Sequence, residues 1–408
     1  MELLYARCAG LDVHKDTVVA GVRIAEEGKV TEQVKSFSTT TKGLLELSEF
    51  LEHHGVTHVV MEATGVYWRP VWHILVESFA LTLANAAHVK NVPGRKSDVM
   101  DCQWLASLLA HGLVRGSFVP PQPIEELRQL TRTRKQMVRE IGRHSLRIQK
   151  ALEDMNIKLG SVVTDVLGVT GRAILRKLVD GVTDPETLAD EARRSLKSKR
   201  RALIEALRGH VTEHHRFILK LHLDTVEMLE RQVSEIDKRL GGALEPFRGA
   251  VEQLTTIPGV GVLMAQILVA EIGTDMTRFP TAAHLVSWAG LCPRSDESAG
   301  KKRSTRIRRA SPWLRTSLVQ AAWGAARSKG TYLQAQYFRI KARRGSKKAA
   351  VAVAASIVTA AWHMLSNGTF YTDLGPSYFV SRDRSKAARK LTKRLQDLGY
   401  EVSIKEAA

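Results

Sequence analysis

Cysteine is scarce in this sequence. The 408 residues include only three cysteines, Cys8, Cys102 and Cys292, and no two of them form a CxxC pair. Structural zinc sites and disulfide frameworks need cysteines in pairs or larger sets, so the sequence supports neither class of protein. We therefore expect a protein of a reducing compartment, with a cytoplasmic location.

Targeting signals and long apolar runs are also lacking. The first ten residues, MELLYARCAG, do not show the basic and then apolar pattern of a signal peptide. We find no long apolar span and no lipidation motif along the chain. These absences argue against a membrane-surface protein, and we expect no membrane partner.

Acidic residues are fewer than basic ones, and the chain is strongly basic. The chain has 61 Lys and Arg against 42 Asp and Glu, a formal net charge of +19. Such an excess predicts a polyanionic partner, of which nucleic acid is the commonest. Hydrophobic residues make up 44% of the sequence, enough for packed cores in the two or three domains that this length predicts.

Residues 1–118 show the pattern of an α/β domain. Three short β-rich runs, CAGLDVH, TVVAGVRI and EQVKSFS, are separated by polar turns and predict a meander. Helix-like and strand-like segments then alternate up to Gly112. This order predicts a mixed sheet with helices packed on it, of the ribonuclease-H type.

The remainder is predicted to be mainly α-helical. The segment VPPQP, residues 119–123, has the composition of a linker. We divide the chain from this linker onward into a helical coiled-coil region (119–249), a basic helical domain (250–370) and a basic C-terminal tail (371–408). In the coiled-coil region a seam repeats at spacings of three and four, within one chain or between chains. Its members are Leu219, His222, Val226, Leu229, Val233, Ile236 and Leu240. We interpret His222 as a polar residue that sets the register.

Four carboxylates stand at informative positions in the first region. Asp12 follows the first predicted strand and Glu62 the fourth, while Asp98 and Asp101 are three residues apart near a predicted helix start. A spacing of three places both aspartates on one helical face. Taken singly, each acid has an ordinary explanation, as a strand-end residue or as a partner of the helix dipole.

Together, the four acids predict a metal site. Like charges so close are costly unless cations neutralise them. Oxygen ligands without imidazole favour Mg²⁺ or Mn²⁺. Two such ions about 4 Å apart would activate an attacking oxygen and stabilise a leaving one in phosphodiester cleavage.

The segment IPGVG in the third region resembles the turn of a helix-hairpin-helix element. Gly259 and Gly261 would let the backbone approach a phosphate, and the next helix would point its amides at it. A simple turn between two core helices is the alternative.

The stretch DESAGKKRSTRIRR places one serine, Ser298, beside a dense run of positive charge. The basic residues of this run, which we expect to contact nucleic acid, are Lys301, Lys302, Arg303, Arg306, Arg308 and Arg309. Either the stretch is a phosphate-binding loop with an incidental hydroxyl, or the hydroxyl performs chemistry on the phosphate.

Five strings, in this order, resemble the DEDD insertion-sequence transposases, the family of bridge-RNA-guided recombinases. The strings are GLDVHK, MEATGVYW, KSDVMDCQWLA, IPGVG and AGLCPRSDESAGKKR, and the resemblance runs from about residue 6 to residue 366. It implies an N-terminal RuvC-like domain, a coiled-coil arm and a C-terminal transposase domain with a nucleophilic serine.

Residue by residue, the resemblance places the family's acidic tetrad on Asp12, Glu62, Asp98 and Asp101, and its serine on Ser298. Ser295 and Ser304 stay open as alternative nucleophiles. The resemblance also implies Mg²⁺ or Mn²⁺ as cofactor, double-stranded donor and target DNA, a structured guide RNA encoded by the element, and a homo-oligomer such as a dimer or tetramer that assembles a composite site.

Two other functions stay open at this point. One is a metal-dependent, structure-selective nuclease similar to a Holliday-junction resolvase, in which the serine is incidental. The other is a non-catalytic nucleic-acid-binding protein, against which the intact acidic tetrad argues.

Overall fold

The structure is a computed structural model of the whole chain. It describes residues 3–26, 28–89, 92, 100–293, 296–298, 301–304, 306–307, 311–382 and 384–403. The chain divides into two compact units, Met1–Val119 and Pro120–Ala408. We describe each unit by itself.

The first unit is built on a mixed sheet of five strands. The strands are β1 (Arg7–Val13), β2 (Thr17–Glu26), β3 (Lys29–Ser38), β4 (His58–Glu62) and β5 (Ala80–Ala84). Their order is β3-β2-β1-β4-β5, with β1, β2 and β3 antiparallel and β1, β4 and β5 parallel. The predicted meander and mixed sheet are confirmed.

Helices cover both faces of this sheet. The helices are α1 (Thr41–His53), α2 (Trp68–Leu75), α3 (Ala86–Val89) and α4 (Asp101–Ala110). Side chains alternate between the faces of a strand. Accordingly, Ala9 and Leu11 of β1 pack with α1 and α2, whereas Cys8 packs with Leu105 and Leu108 of α4. The sheet therefore lies between two apolar layers.

The second unit is almost entirely helical, as predicted. Two long helices, α5 (Gln122–Asp154) and α10 (Glu213–Leu244), run antiparallel, because Arg134 pairs with Asp237 and His144 contacts His222. Val226 of the predicted seam is fully buried. The seam of α10 thus packs within the chain, on α5 and its neighbours.

Short helices connect these two long ones and form a core with them. They are α6 (Leu159–Val162), α7 (Val169–Val179), α8 (Pro185–Ala189), a 3-10 helix (Arg194–Lys199) and α9 (Arg200–Ala206). Apolar residues from α5, α7, α9 and α10 meet in this core, among them Leu152, Leu175, Leu203 and Leu219.

The remaining helices form the C-terminal part of this unit. They are α11 (Arg248–Thr255), α12 (Val262–Ile272), α13 (Ala282–Trp288), α14 (Pro312–Ala325), α15 (Tyr332–Arg344), α16 (Ser346–Asn367), α17 (Tyr378–Ser381) and α18 (Arg384–Asp397), with 3-10 turns at Glu245–Phe247 and Met276–Arg278. A two-stranded hairpin, β6 (Asp296–Ser298) and β7 (Lys301–Ser304), lies between α13 and α14.

Helix α16 corrects the expectation that the chain has no long apolar span. By length and composition it is apolar enough to cross a membrane, and it is the one such helix among the residues that the structure describes. Its residues Val353, Ile357 and Ala361 are fully buried within the helical unit. We therefore interpret α16 as a core helix.

Candidate functional site

Asp12 and Glu62 lie side by side at one edge of the five-stranded sheet. Strands β1 and β4 are parallel, and the last pair in their register is Leu11 with Met61. Asp12 and Glu62 are the next residues on each strand. Because neighbouring strands are about 4.8 Å apart, the two acidic residues are adjacent at the carboxyl ends of these strands.

Both acids are on the sheet face that α4 covers. Asp12 has the same parity in β1 as Cys8, and Glu62 the same parity in β4 as Val60, and both Cys8 and Val60 pack against α4. The side chain of Asp12 is 28% exposed, and its Oδ2 is 3.2 Å from Nε2 of His14. One carboxylate oxygen therefore has an imidazole neighbour, while the group keeps access to solvent.

Helix α4 can pack close to this pair of acids because Gly10 has no side chain. A Cβ on Gly10 would lie 2.1 Å from the carbonyl oxygen of Cys102 and 2.6 Å from the backbone nitrogen of Ala106. Only a residue without a side chain allows so close an approach. Asp101, the first residue of α4, is exposed and directly precedes Cys102.

The pKa of the Cys102 thiol responds to two of these acids. Burial raises its pKa, and the negative charges of Asp12 and Asp101 raise it further. Both carboxylates therefore act on one sulfur, which places them in one electrostatic environment. Burial likewise raises the pKa of Cys8 to about 11, so neither thiol is prepared for nucleophilic chemistry at neutral pH.

The structure tests the prediction that Asp98 and Asp101 share one helical face only at Asp101. Met100 is the N-cap of α4 and has an extended backbone, with φ −61° and ψ 148°, so the helix begins at Asp101. The side chain of Gln103 accepts the backbone N–H of Met100 at 3.4 Å. Asp98 precedes this cap and lies outside the described residues.

The chemistry of the donor set suits a hard divalent cation. Asp12, Glu62 and Asp101 offer carboxylate oxygens, the ligands that Mg²⁺ and Mn²⁺ prefer. Among the residues that the structure describes, no group of three or more acidic, histidine or cysteine side chains is close enough to hold an ion. A metal site at this edge therefore stays a prediction.

A polar network that we did not predict holds the start of α4. Gln103 donates through Nε2 to Glu32 Oε2 at 2.9 Å, and Arg23 donates through Nη1 to Glu32 Oε1 at 2.8 Å. Arg23 and Glu32 pair across β2 and β3. This network ties the N-terminus of α4 to the sheet and so positions Asp101. No local pattern joins residues so distant in sequence.

Ser298 is the last residue of β6, in the two-stranded hairpin. Its backbone pairs with Lys301, and Glu297 pairs with Lys302. A register shift between Asp296 and Glu297 distorts the ladder just before the serine. Ala299 and Gly300, the small neighbours of Ser298, lie outside the described residues.

The other serine and basic candidates differ in their surroundings. The hydroxyl of Ser304 accepts the backbone N–H of Arg306 at 3.2 Å, and Arg306 is exposed. Lys301, Lys302 and Arg303 form β7. Ser295, Arg308 and Arg309 lie outside the described residues. The hydroxyl of Ser304 therefore has a structural role in this turn.

The glycines of IPGVG have different surroundings. Gly259 has φ +85°, and a Cβ on it would lie 2.3 Å from the backbone nitrogen of Ala325 and 2.4 Å from the carbonyl oxygen of Ala321. Packing on α14 thus accounts for Gly259, and this face is not open to a phosphate. Gly261 caps α12 with nothing within 4 Å of its Cβ position. Phosphate contact stays a prediction for Gly261.

A buried ion pair that the sequence did not indicate joins α5 to α12. Glu271 is 1% exposed, and both of its carboxylate oxygens accept from Arg132 at 2.8 Å. Arg128 also donates to the backbone carbonyl of Glu271 at 2.6 Å. The pair fixes the long helix α5 to the C-terminal helices.

Lys135 extends this junction to α14. Its Nζ donates to the carbonyl oxygen of Trp313 at 3.2 Å and to the hydroxyls of Thr316 and Ser317 at 2.7 Å. Burial lowers the pKa of Lys135, and nearby Arg139 lowers it further. Trp313, in turn, has the guanidinium of Arg139 5.5 Å from its ring centroid.

Comparison with known proteins gives two family matches. Residues 9–157, which include the acidic edge and α5, match the DEDD type of IS110 transposases, described as "Transposase". Residues 251–338, which include the serine hairpin, match the "Transposase IS116/IS110/IS902 family". These two matches define the class of the protein as a DEDD transposase.

The two matches together span more than half of the chain, and both name the same group of elements. The chain belongs to the IS110/IS116/IS902 family of transposases. This confirms the resemblance found in the sequence.

Two curated relatives agree with this membership. The 43.6 kDa protein of insertion element IS110 from Streptomyces coelicolor is 33% identical over 126 residues, 30% of this chain and 31% of that protein. A candidate transposase, y4pF/y4sB, from Sinorhizobium fredii is 28% identical over 159 residues, 38% of this chain and 41% of that protein. In each match the chain spans less than half of the relative's length.

Proposed function

We propose that the chain is a DNA transposase that excises and inserts its own insertion sequence by cleaving and rejoining DNA. The observation that carries this proposal is the pair of carboxylates at the carboxyl ends of β1 and β4, on the face where α4 begins with a third. The strand order, with an antiparallel meander and then parallel strands, supports a RuvC-like assignment for this unit. Family membership supports the reaction class.

In this proposal four acids, Asp12, Glu62, Asp98 and Asp101, hold Mg²⁺ or Mn²⁺. When bound, such ions offset the negative charge that develops on the attacking and leaving oxygens of a phosphodiester. The protein's contribution is to keep three carboxylates on one face of a rigid sheet, with Gly10 and the Glu32–Gln103 contact holding α4 in place.

Ser298 is the proposed nucleophile. A bond forms between its Oγ and phosphorus, the bond from phosphorus to one sugar oxygen breaks, and the serine proton ends on that leaving oxygen. Rejoining is the reverse step with a different sugar hydroxyl. Lys301 stands opposite Ser298 in the ladder, so by register it is the first basic residue available to offset phosphate charge.

Charge and family membership indicate the proposed partners. Donor and target DNA would bind to the basic residues after Ser298 and to the amides near Gly261. The family implies a structured guide RNA encoded by the element, and a homo-oligomer in which subunits share the reaction. Since Leu219, Val226 and Leu240 of the α10 seam are buried within the chain, self-association would rest mainly on other surfaces. Three cysteines free of disulfides suit a cytoplasmic protein.

Replacing Ser298 tests the nucleophile. Purified protein with its co-purified RNA is incubated with duplex DNA carrying an element end and Mg²⁺, and products are separated on denaturing gels. We expect a covalent protein–DNA adduct with the wild type and none with Ser298→Ala, whose recombination should fall by orders of magnitude. Ser304→Ala is the matched control and should keep the adduct.

The outcomes of this experiment separate the alternatives. An adduct that persists in Ser298→Ala contradicts the assignment and moves the nucleophile to Ser295 or Ser304. Cleavage by the wild type with no adduct at any time favours a resolvase-like nuclease, with water attacking. Binding without any cleavage favours the non-catalytic protein.

Replacing the acids tests the metal proposal. Asp12→Asn and Asp101→Asn should abolish strand cleavage while DNA affinity changes less than about threefold, because the acids hold metal and not the DNA backbone. Asp16→Asn, in the turn after β1, is the control and should stay active. Full cleavage in EDTA, or by either variant, would refute this part of the proposal.

A further inference from the structure

The segment Arg193–Arg201, which follows α8 and runs into the first turn of α9, has the highest density of positive charge in the helical connection from α5 to α10. Six of its nine residues are basic, and none is acidic: Arg193, Arg194, Lys197, Lys199, Arg200 and Arg201. We call these six residues the arm patch. Both family matches leave it out, because the first ends at residue 157 and the second begins at residue 251.

Packing directs the arm patch toward solvent. The apolar residues that flank and interrupt it, Ala192, Leu196 and Leu203, pack into the core of the second unit. All six basic residues are exposed. The backbone is anchored, since the N–H of Arg193 donates to Thr170 Oγ1 at 3.1 Å. The charges are therefore presented by a fixed segment and not by a loose loop.

Most of the arm patch lacks neutralising partners within the described part of the chain. Arg200 pairs with Asp190 at 2.8 Å, and two of its nitrogens, Nε and Nη2, donate to Asp190 Oδ1. The other five basic side chains form no ion pair among the residues that the structure describes. Elsewhere on the same unit, exposed cations such as Arg176 and Lys220 are paired with acids. Five exposed cations without an acidic partner among the described residues thus lie together in this segment.

A cavity opens at the arm patch. It has a volume of about 620 Å³ and is lined by Arg193, Arg194 and Lys199 on one side and by the residues around the start of α7 on the other. Its one acidic lining residue, Asp165, accepts the backbone N–H of Leu167 at 2.9 Å. Arg194 has φ 54°, a left-handed conformation that side-chain-bearing residues rarely adopt.

We propose that the arm patch is a second nucleic-acid site, which binds the sugar–phosphate backbone without reading sequence. Exposed, unpaired guanidinium and ammonium groups around a concave surface are suited to phosphodiesters, which Arg contacts in a bidentate manner and Lys as a point charge. Only one part of this inference rests on the proposed function, namely that the bound polyanion is a nucleic acid. It places DNA or RNA on the helical arm, away from the serine hairpin in sequence.

Charge removal tests this inference. The variant Arg194→Gln/Lys199→Gln/Arg201→Gln is compared with wild type in binding to a duplex DNA and to an RNA hairpin, neither with element sequence, in EDTA. Each lost phosphate contact should reduce the salt slope by about 0.9 on duplex DNA and weaken binding about eightfold at 0.1 M salt. Loss with only one probe identifies that nucleic acid as the ligand, and loss with both identifies a shared backbone site.

The matched control removes the same charge from paired residues. Arg176→Gln/Lys220→Gln/Arg248→Gln takes three cations that have acidic partners on the same unit. We expect its salt slope to change by less than about 1. Equal losses in the two triple variants, or an unchanged arm-patch variant, would overturn the proposal.

A second measurement does not depend on the variants folding. Lys197 and Lys199 of the wild type are acetylated with a water-soluble reagent, with and without each probe, and quantified by mass spectrometry. Protection of at least about fivefold relative to Lys220 is expected, and equal modification would overturn the site. Because EDTA and sequence-free probes exclude cleavage, failure here leaves the serine adduct test untouched, and failure of the adduct test leaves this site intact.

Discussion

At the scale of single residues, Gly10 controls whether the acidic edge can form. Because Gly10 has no side chain, α4 can cross β1 so closely that the Cys102 carbonyl lies where a Cβ on residue 10 would be. Asp101 reaches the sheet edge only through this crossing. In the proposed metal site the glycine would therefore be as necessary as the carboxylates, although it offers no ligand.

We expect Gly10→Ala to displace α4. Because the nearest atoms are backbone, no side-chain rotation can relieve the contact, and the added methyl group should cost about 1–3 kcal/mol or more. Urea unfolding measures the loss, and cleavage should fall with it. Gly160→Ala, where nothing lies within 4 Å of the new Cβ, is the control and should unfold as the wild type does. Equal stability of the two variants would contradict the packing argument.

The sequence pattern predicted where the acidic residues lie better than it predicted the contacts that hold α4 beside them. Asp12 and Glu62 lie at the carboxyl ends of short apolar strands, so their shared edge could be inferred from the order of the predicted strands. The contacts of Gly10 and the Glu32–Gln103 hydrogen bond join segments far apart in sequence, and no spacing encodes them. Spacing alone also did not show that α4 begins at Asp101, and Asp98 lies outside the described residues.

At the scale of elements, the α5–α10 pair contains two histidines in its interface. His144 and His222 have ring centroids 5.1 Å apart, and the Nδ1 atom of each is buried without a hydrogen-bond partner among the described residues. Burial lowers the pKa of both imidazoles, and the charge of Arg147 lowers it further. Glu140 acts in the opposite direction on His144. The folded helix pair therefore favours neutral rings.

This arrangement predicts that stability declines in mild acid. Both pKa values are lower in the folded than in the unfolded state, where they are about 6.5, so the unfolded chain binds more protons as pH falls below that value. The free energy of unfolding should be constant above about pH 7 and decrease below about pH 6.5. Urea unfolding at pH 5.5 and 7.5 measures this difference.

The control variants are His144→Gln/His222→Gln and His53→Gln/His214→Gln. Removal of the interface pair should reduce the loss of stability between pH 7.5 and pH 5.5, whereas removal of His53 and His214, which lie outside this interface, should leave it unchanged. A pH profile that does not differ between the two double variants would show that the interface histidines are not responsible.

The seam of α10 shows what heptad spacing can and cannot predict. The spacing correctly indicated a helix that buries one face, on which Leu219, Val226 and Leu240 are buried and His222 is half-buried. It did not indicate the partner, because a seam that packs on α5 in the same chain and one that packs on a second copy have the same pattern. The partner is revealed only by the tertiary contacts of α5, whose own spacing is less regular.

At the scale of the whole molecule, the charge is divided unequally between the two units. Residues 1–119 have 11 Lys and Arg against 13 Asp and Glu, a net charge of −2, so residues 120–408 carry +21. A cluster of carboxylates in a slightly acidic unit attracts cations, while the other unit attracts polyanions. This division agrees with metal chemistry in the first unit and backbone binding in the second.

The last prediction concerns which unit determines affinity for nucleic acid. Binding of wild type to a sequence-free duplex should weaken steeply with salt, with a slope of log K against log salt of about −5 to −10, because phosphate neutralisation releases counterions. Arg343→Gln/Lys347→Gln/Lys348→Gln, in exposed positions where α15 ends and α16 begins, should reduce the slope by about 2–3. Fluorescence anisotropy titrations between 0.05 and about 0.3 M salt cover the range in which such slopes are measured.

The matched variant takes three exposed lysines from the first unit, Lys29→Gln/Lys35→Gln/Lys42→Gln, and removes the same total charge. If DNA is held by the positive surface of the second unit, this variant should keep the wild-type slope to within about 1, since its lost charges neutralised no phosphate. Equal reductions in both triple variants would mean that net charge alone drives binding. A wild-type slope of log K against log salt near zero would instead show that phosphate contacts do not supply the affinity.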